Sequence, residues 1–156
     1  MIVTFLCKLV KYFIEEYNPI LFSRERSDTV RRVVINMQNK LFGQAISDTL
    51  RRSDLELEPY VVDSPDRVIE ECRWIRPCVL LMEVTSYTPW KLCERLSLRE
   101  VIKTTHPECK IALIVDEVAD KETARQVKLA KKDGLIDQFI YGSISPSYLA
   151  DIIDSL

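Results

Sequence analysis

Glycine is nearly absent, with only three in 156 residues. No glycine-rich loop is therefore available to cradle a phosphate chain. Histidine occurs once, at His106 in the run Thr104-Thr105-His106-Pro107. That position reads as a loop at a helix terminus, and no Ser/His/Asp or Cys/His constellation can be assembled around it, so classical hydrolytic chemistry is excluded. The five cysteines, Cys7, Cys72, Cys78, Cys93 and Cys109, are odd in number and contain no CxxC pair. A structural or catalytic metal centre is not expected from them. No small-residue cleavage site follows the apolar start, so the thiols are expected to be reduced, buried and cytosolic. A strong charge of either sign is lacking as well, the formal net charge being -2. Broad attraction to nucleic acid or to an anionic membrane is excluded on that ground. The local basic clusters at Arg24, Arg26, Arg31 and Arg32 and at Lys128, Lys131 and Lys132 are diluted by acidic neighbours. Paired carboxylates such as Glu70-Glu71, or Asp151 with Asp154, read as solvated helix exteriors.

What is present is apolar patterning, at 47% of the chain, in a length that suits one hydrophobic core. From Met1 to Tyr17, Ile2, Phe5, Leu6, Leu9 and Phe13 recur at helical spacing, with Lys8, Lys11, Glu15 and Glu16 on the other side. The charges make this stretch an amphipathic helix rather than a membrane span. Asn18-Pro19 ends it, and a charged connector leads to about residue 30. The apolar face of this helix has three possible coverings: the main domain, a second copy, or a lipid interface.

From Val30 the pattern alternates between short apolar runs and helix-like stretches. Strands are predicted at Arg32–Met37, Leu57–Val62, Cys78–Val84, Lys110–Val115 and Phe139–Tyr141. Between them lie a helix from Asn39 to Arg52 with Leu41, Phe42, Ala45, Ile46 and Leu50 inward, and one opened by Ser64-Pro65 and running through Ile75. A third is capped by Thr88-Pro89 and runs to about Thr104, with Leu92, Cys93, Leu96, Val101 and Ile102 inward. The fourth is capped by Asp120 and closed near Gly134, and the last is opened by Ser145-Pro146. Five strands alternating with five helices predict a three-layer α/β/α sandwich with a flavodoxin-like parallel sheet in the order 2-1-3-4-5. Its working crevice should lie at the carboxyl ends of the strands.

Three segments resemble a known family. The stretch RVVINMQNKLF (residues 32–42) is similar to the opening of the receiver domain of two-component response regulators, and PCVLLMEV (77–84) to its phosphoacceptor strand. The stretch GLIDQFIYGSISP (134–146) resembles the segment in which an aromatic residue precedes the family's lysine by three positions. The resemblance covers residues 31–156 and leaves residues 1–30 as a helix and connector. It implies an aspartate phosphoacceptor where this chain has Glu83, an acidic metal-binding pair where it has Met37 and Gln38, and a hydroxyl residue at Val115 or Asp116. It also implies a lysine where the chain has Gly142. The pocket is thus a degenerate one: a thioether and a neutral amide cannot replace the carboxylates that grip Mg²⁺. Without the cation and the lysine, the charge of a transferring phosphoryl group is unsupported.

The resemblance, taken with these departures, implies a receiver-like signalling protein that is not phosphorylated, is not an enzyme, needs no cofactor or metal, and acts through contact with a protein partner or with itself. The family's contact face carries over to Phe139 and Tyr141, and no DNA-binding output domain is expected after Leu156. Two other readings stand beside this one: a conventional phosphorelay receiver with an atypical pocket, and a small-molecule-binding protein using the emptied crevice. A metal site of a new kind from Asn36, Glu83 and Asp116 is a further alternative, and so is Glu83 as a mimic of a phosphorylated aspartate.

Overall fold

The computed structural model describes residues 30–156. The N-terminal helix predicted from Met1 to Tyr17 lies outside the described residues. Strand β1 (Arg31–Asn36) leads to helix α1 (Lys40–Arg52), and β2 (Leu57–Val61) through a 3₁₀ turn (Pro65–Arg67) to α2 (Val68–Ile75). Then β3 (Val79–Val84) precedes α3 (Leu92–Thr105), β4 (Lys110–Val115) precedes α4 (Lys121–Lys132), and β5 (Gln138–Tyr141) precedes α5 (Pro146–Asp154). The five strands form one sheet in the order β2-β1-β3-β4-β5, every neighbouring pair parallel. The predicted flavodoxin-like α/β/α architecture is therefore the observed one.

Alternation along each strand divides the core in two. Val34, Leu80, Met82, Ile111 and Leu113 face α2, α3 and α4. Val33, Ile35, Leu81, Ala112 and Ile114 face the other way, onto α1 and α5. The central strand is apolar on both sides because helices cover both.

Local signals start and stop most elements where the sequence places them. Asp120 accepts from the Thr123 backbone N–H at 2.9 Å and caps α4. Ser145 does the same for α5, accepting from the Tyr148 N–H at 3.3 Å. Gly134 closes α4 with φ +73, a conformation that costs a side-chain-bearing residue but not glycine. Two expected starts are corrected. Ser64 makes no side-chain cap bond, and Pro65 opens the 3₁₀ turn rather than an α-helix. Thr88-Pro89 lies in the loop before α3, which begins three residues later at Leu92, where the Glu94 carboxylate accepts from the Lys91 N–H at 2.9 Å.

The inward faces of α1 and α3 also differ from expectation. The buried stripe of α1 is Gly43, Ile46, Ser47 and Leu50, leaving Leu41 84% exposed and Ala45 exposed too. Gly43 sits over Met37, whose Cβ and Cγ stand 3.4 Å from where a glycine Cβ would be. A methyl group there would be in van der Waals contact with Met37 and Val61, so α1 packs directly on the sheet at this point. On α3, Cys93 and Val101 are exposed, and the buried residues are Arg95 and Ile102. Of the four described cysteines, Cys72 and Cys109 are buried, and burial pushes both thiols up to about 12. Cys93 is exposed, against the expectation that all the thiols are core residues.

Candidate functional site at the carboxyl ends of the strands

Glu83 is the next-to-last residue of β3, and its neighbour Met82 turns to the opposite side and is fully buried. The Glu83 side chain points into the crevice where the chain segments following the paired strands β1 and β3 leave to opposite faces of the sheet. There its Oε2 accepts from the Gln38 backbone N–H at 2.7 Å and from the Asn39 N–H at 3.3 Å. Asn39 is the N-cap of α1, its Oδ1 accepting from the Phe42 N–H at 3.1 Å. The carboxylate thus sits on N–H groups that lead into a helix, where the helix dipole favours negative charge. Beside it is an open cavity of about 400 Å³, lined by Asn39, Phe42, Glu83, Ile114, Val115, Asp116, Val118, Gly142 and Ser143.

Beneath Glu83 lies a cation that the sequence reading missed. Arg95, in the first half of α3, is fully buried. Its Nε donates to the Glu83 carbonyl at 2.8 Å, and its Nη1 donates to Asn36 Oδ1, also at 2.8 Å. Asn36 ends β1 and is itself fully buried, with its Nδ2 donating to the Val62 carbonyl at 2.6 Å. The guanidinium stacks on Trp90, its Cζ 4.4 Å from the ring centroid, and Nη2 makes no hydrogen bond. Burial pushes the guanidinium down to about 10, against the pull of Glu83 and Glu94, so it stays charged at neutral pH. One side chain from α3 therefore ties the ends of β1 and β3 together with a buried positive charge.

No family model matches the sequence, and no curated protein matches it. Solved structures do match. The chemotaxis protein CheY4 of Vibrio cholerae superposes with a TM-score of 0.65 at 13% identity, over 81% of this chain and 98% of that one. An orphan response regulator of H. pylori gives 0.63 at 17% identity over 81% and 96%. A structure described as a redox sensor of streptococci evolved from two-component response regulators gives 0.64 at 11% identity, over 80% of this chain and 50% of that one. The chain has the receiver fold.

Within the receiver fold, the residues predicted for the degenerate pocket part company. Glu83, Asp116 and Gly142 line the cavity together. Met37 does not: it is 2% exposed and packs in the core under α1. Gln38 is exposed and contributes its backbone N–H rather than its side chain. Asp116 Oδ1 accepts from the Val118 and Ala119 N–H groups, at 3.0 Å each, and so holds its own turn. Gly142 donates its N–H to the Val115 carbonyl at 2.9 Å. A Cβ added at Gly142 would stand 3.6 Å from that oxygen, so its backbone has room for a side chain.

The divalent cation that receivers hold does not fit this donor set. Two N–H groups already bond Glu83 Oε2 and two more bond Asp116 Oδ1, and at the positions of the expected acidic pair Met37 is buried and Gln38 adds no carboxylate. Asn36, the third member of the alternative metal site, accepts from a guanidinium and cannot also face Mg²⁺, which a buried positive charge repels. Among the described residues, no group of three or more His, Cys, Asp and Glu side chains is placed to hold a metal. Glu83 as a mimic of a phosphorylated aspartate finds its partners in backbone N–H groups, not in a hydroxyl or a lysine.

Along the far edge of the sheet, Phe139 and Tyr141 lie on one side of β5, their rings edge to face with centroids 5.3 Å apart. Both are half-buried against the layer of α2, α3 and α4. Nearby, the Ser143 hydroxyl donates to the Glu117 carboxylate, joining the loops after β4 and β5. Among the described residues no helix is long and apolar enough to cross a membrane.

The signal for Arg95 was present in the sequence. It stands in the apolar stripe of α3, between Leu92 and Leu96 and seven residues before Ile102, where helical periodicity places it on the buried face.

Proposed function

We propose that this chain is a receiver-like signalling protein that works by protein contact and without phosphoryl transfer. The observation that carries the reading is the Arg95 bridge. A phosphorylatable receiver pocket needs a site for a mobile divalent cation next to its acceptor carboxylate. Here a fixed guanidinium supplies the positive charge and holds Asn36 and the Glu83 backbone. The Glu83 carboxylate rests on the loop entering α1, as an internal anion rather than a nucleophile.

In this reading the chain catalyses no reaction, and the face around Phe139 and Tyr141 meets a protein partner or a second copy. The unpaired thiols at Cys72, Cys78, Cys93 and Cys109 fit a reducing compartment such as the cytoplasm. Incubation with acetyl phosphate and Mg²⁺, followed by intact-mass and peptide mass spectrometry, tests the central claim. No mass gain is expected, and stoichiometric phosphorylation at Glu83 would overturn the proposal.

A second reading has one observation in its favour, the cavity of about 400 Å³ beside Glu83 and Phe42. Its size falls in the range of small-ligand sites. A thermal-shift screen decides between the two, because a specific ligand raises the unfolding midpoint with concentration.

A further inference from the structure

A groove of about 460 Å³ runs between the 3₁₀ turn with α2 on one side and the loop before α3 with α3 on the other. It is separate from both the Glu83 crevice and the β5 edge. Its apolar surface is Pro65, Ile69, Pro89, Leu98 and Val101, with Val101 37% exposed. Its charged lining consists of two carboxylates, Asp66 and Glu94, and no cationic side chain lines it among the described residues.

The placement of these groups gives the groove a direction. Asp66 lies in the turn that precedes α2, and Glu94 lies in the first turn of α3. In a parallel sheet each crossover helix starts at the carboxyl ends of the strands, so both carboxylates sit at the same end of the groove, one on each wall. Val101 is seven residues farther along α3, which at about 1.5 Å per residue puts it about 10 Å down the groove. An apolar trough closed at one end by a pair of carboxylates suits a helix whose apolar stripe fills the trough and whose cationic side chains meet the acidic end. Leu98 and Val101, three apart on α3, match the spacing by which one helix ridge receives another.

We propose that this groove is a docking surface for a basic amphipathic helix of a partner protein. The surface is independent of the Glu83 pocket, so phosphorylation at Glu83 would leave it standing.

The test uses the full chain and two synthetic helical peptides sharing one leucine stripe, one flanked by lysines and the other by glutamates. Methyl-detected NMR should show the lysine peptide shifting the Ile69, Leu98 and Val101 signals, while the glutamate peptide leaves them in place. Asp66→Asn with Glu94→Gln should weaken the lysine peptide several-fold at low salt and little at high salt. Glutamine keeps an acceptor for the Lys91 N–H, so the start of α3 is preserved. Val101→Lys, at an exposed position, should block binding with no change in the circular dichroism of the protein.

Equal binding of both peptides, or shifts confined to the residues around Phe139 or the Glu83 pocket, would overturn the proposal. So would no shift at millimolar peptide, or concentration-dependent self-association that Val101→Lys abolishes, since the latter gives the groove to a second copy.

Discussion

The Arg95–Asn36 contact is the residue on which most else turns, and its energetics are asymmetric. A buried guanidinium is costly unless its donors are satisfied, and here one nitrogen already lacks a partner. Replacing Asn36 with Leu strips another acceptor from the charge and orphans the Val62 carbonyl. The expected loss of stability is about 3 kcal/mol or more. Replacing Arg95 with Met leaves two neutral acceptors without a donor but removes the charge, at a cost of about 1–2 kcal/mol. The double variant should be more stable than Asn36→Leu alone. Urea unfolding at constant m value checks the order. If Arg95→Met is the worse of the two single variants, the guanidinium is a net stabiliser and the asymmetry argued here is wrong. Arg95→Lys is not a conservative change either, because a single ammonium cannot reproduce a planar fork that reaches both strand ends.

Capping and strand anchoring are read at the scale of the element, and two carboxylates dominate. Asp120 is held below the ordinary aspartate value of 3.8, first by the Thr123 side chain and then by the Thr123 N–H. At the other end of the sheet, burial works to raise Asp137. The Ile111 N–H at 2.8 Å, a hydrogen bond from Lys103 and the charges of Lys103 and Lys110 together outweigh it, so its value is lowered as well. A carboxyl with a depressed folded value adds stability that is complete above its unfolded value and is lost as pH falls through the folded one. Asp120→Ala should therefore cost about 1 kcal/mol at neutral pH. That cost should shrink once the pH drops below 3.8. Thermal melts of both proteins from pH 7 down to pH 3 measure it, and a constant difference would show that the cap acts through shape rather than charge.

These caps were legible because each is a short-range signal: Asp120, Gly134 and Ser145 act within a few residues of themselves. Thr88-Pro89 was misread because a hydroxyl residue before proline looks the same at a helix start and in a loop. Leu41 is exposed because hydrophobicity alone does not mark the inward stripe of α1. The true stripe includes Gly43 and Ser47, which are buried by their register on α1 although neither is hydrophobic. Arg95 was overlooked for the converse reason. Its charge reads as an exterior residue, and only its register in α3 and the arrival of Asn36 from another strand show otherwise.

At the scale of the whole molecule, the alternation of elements points to a parallel α/β sheet, for which 2-1-3-4-5 is one of the common orders, while the contents of the crevice depend on where side chains turn. The place of Met37 after β1 points to the pocket, yet its side chain packs in the core. The same loop offers backbone N–H groups instead of carboxylates, and the Glu83 carboxylate of β3 accepts from them. Charge at the carboxyl end of the sheet is thus closed within the protein. This has a consequence for linkage. A cation that binds only the native state stabilises it in proportion to RT ln(1 + [L]/Kd), by about 2.7 kcal/mol when the ion is present at about 100 times its Kd. Conventional receivers with an open acidic pocket should show such a gain. For this chain, ~10 mM MgCl₂ should leave Tm unchanged relative to NaCl of equal ionic strength, because Met37 and Gln38 supply no acidic pair to grip the ion and the buried Arg95 charge repels it. Arg95→Met removes the competing charge and frees Asn36 Oδ1, so a small Mg²⁺-dependent rise in Tm is expected in that variant. A clear rise in the unaltered protein would mean that Glu83 leaves its N–H partners for the metal, and the contact-only reading would fail with it.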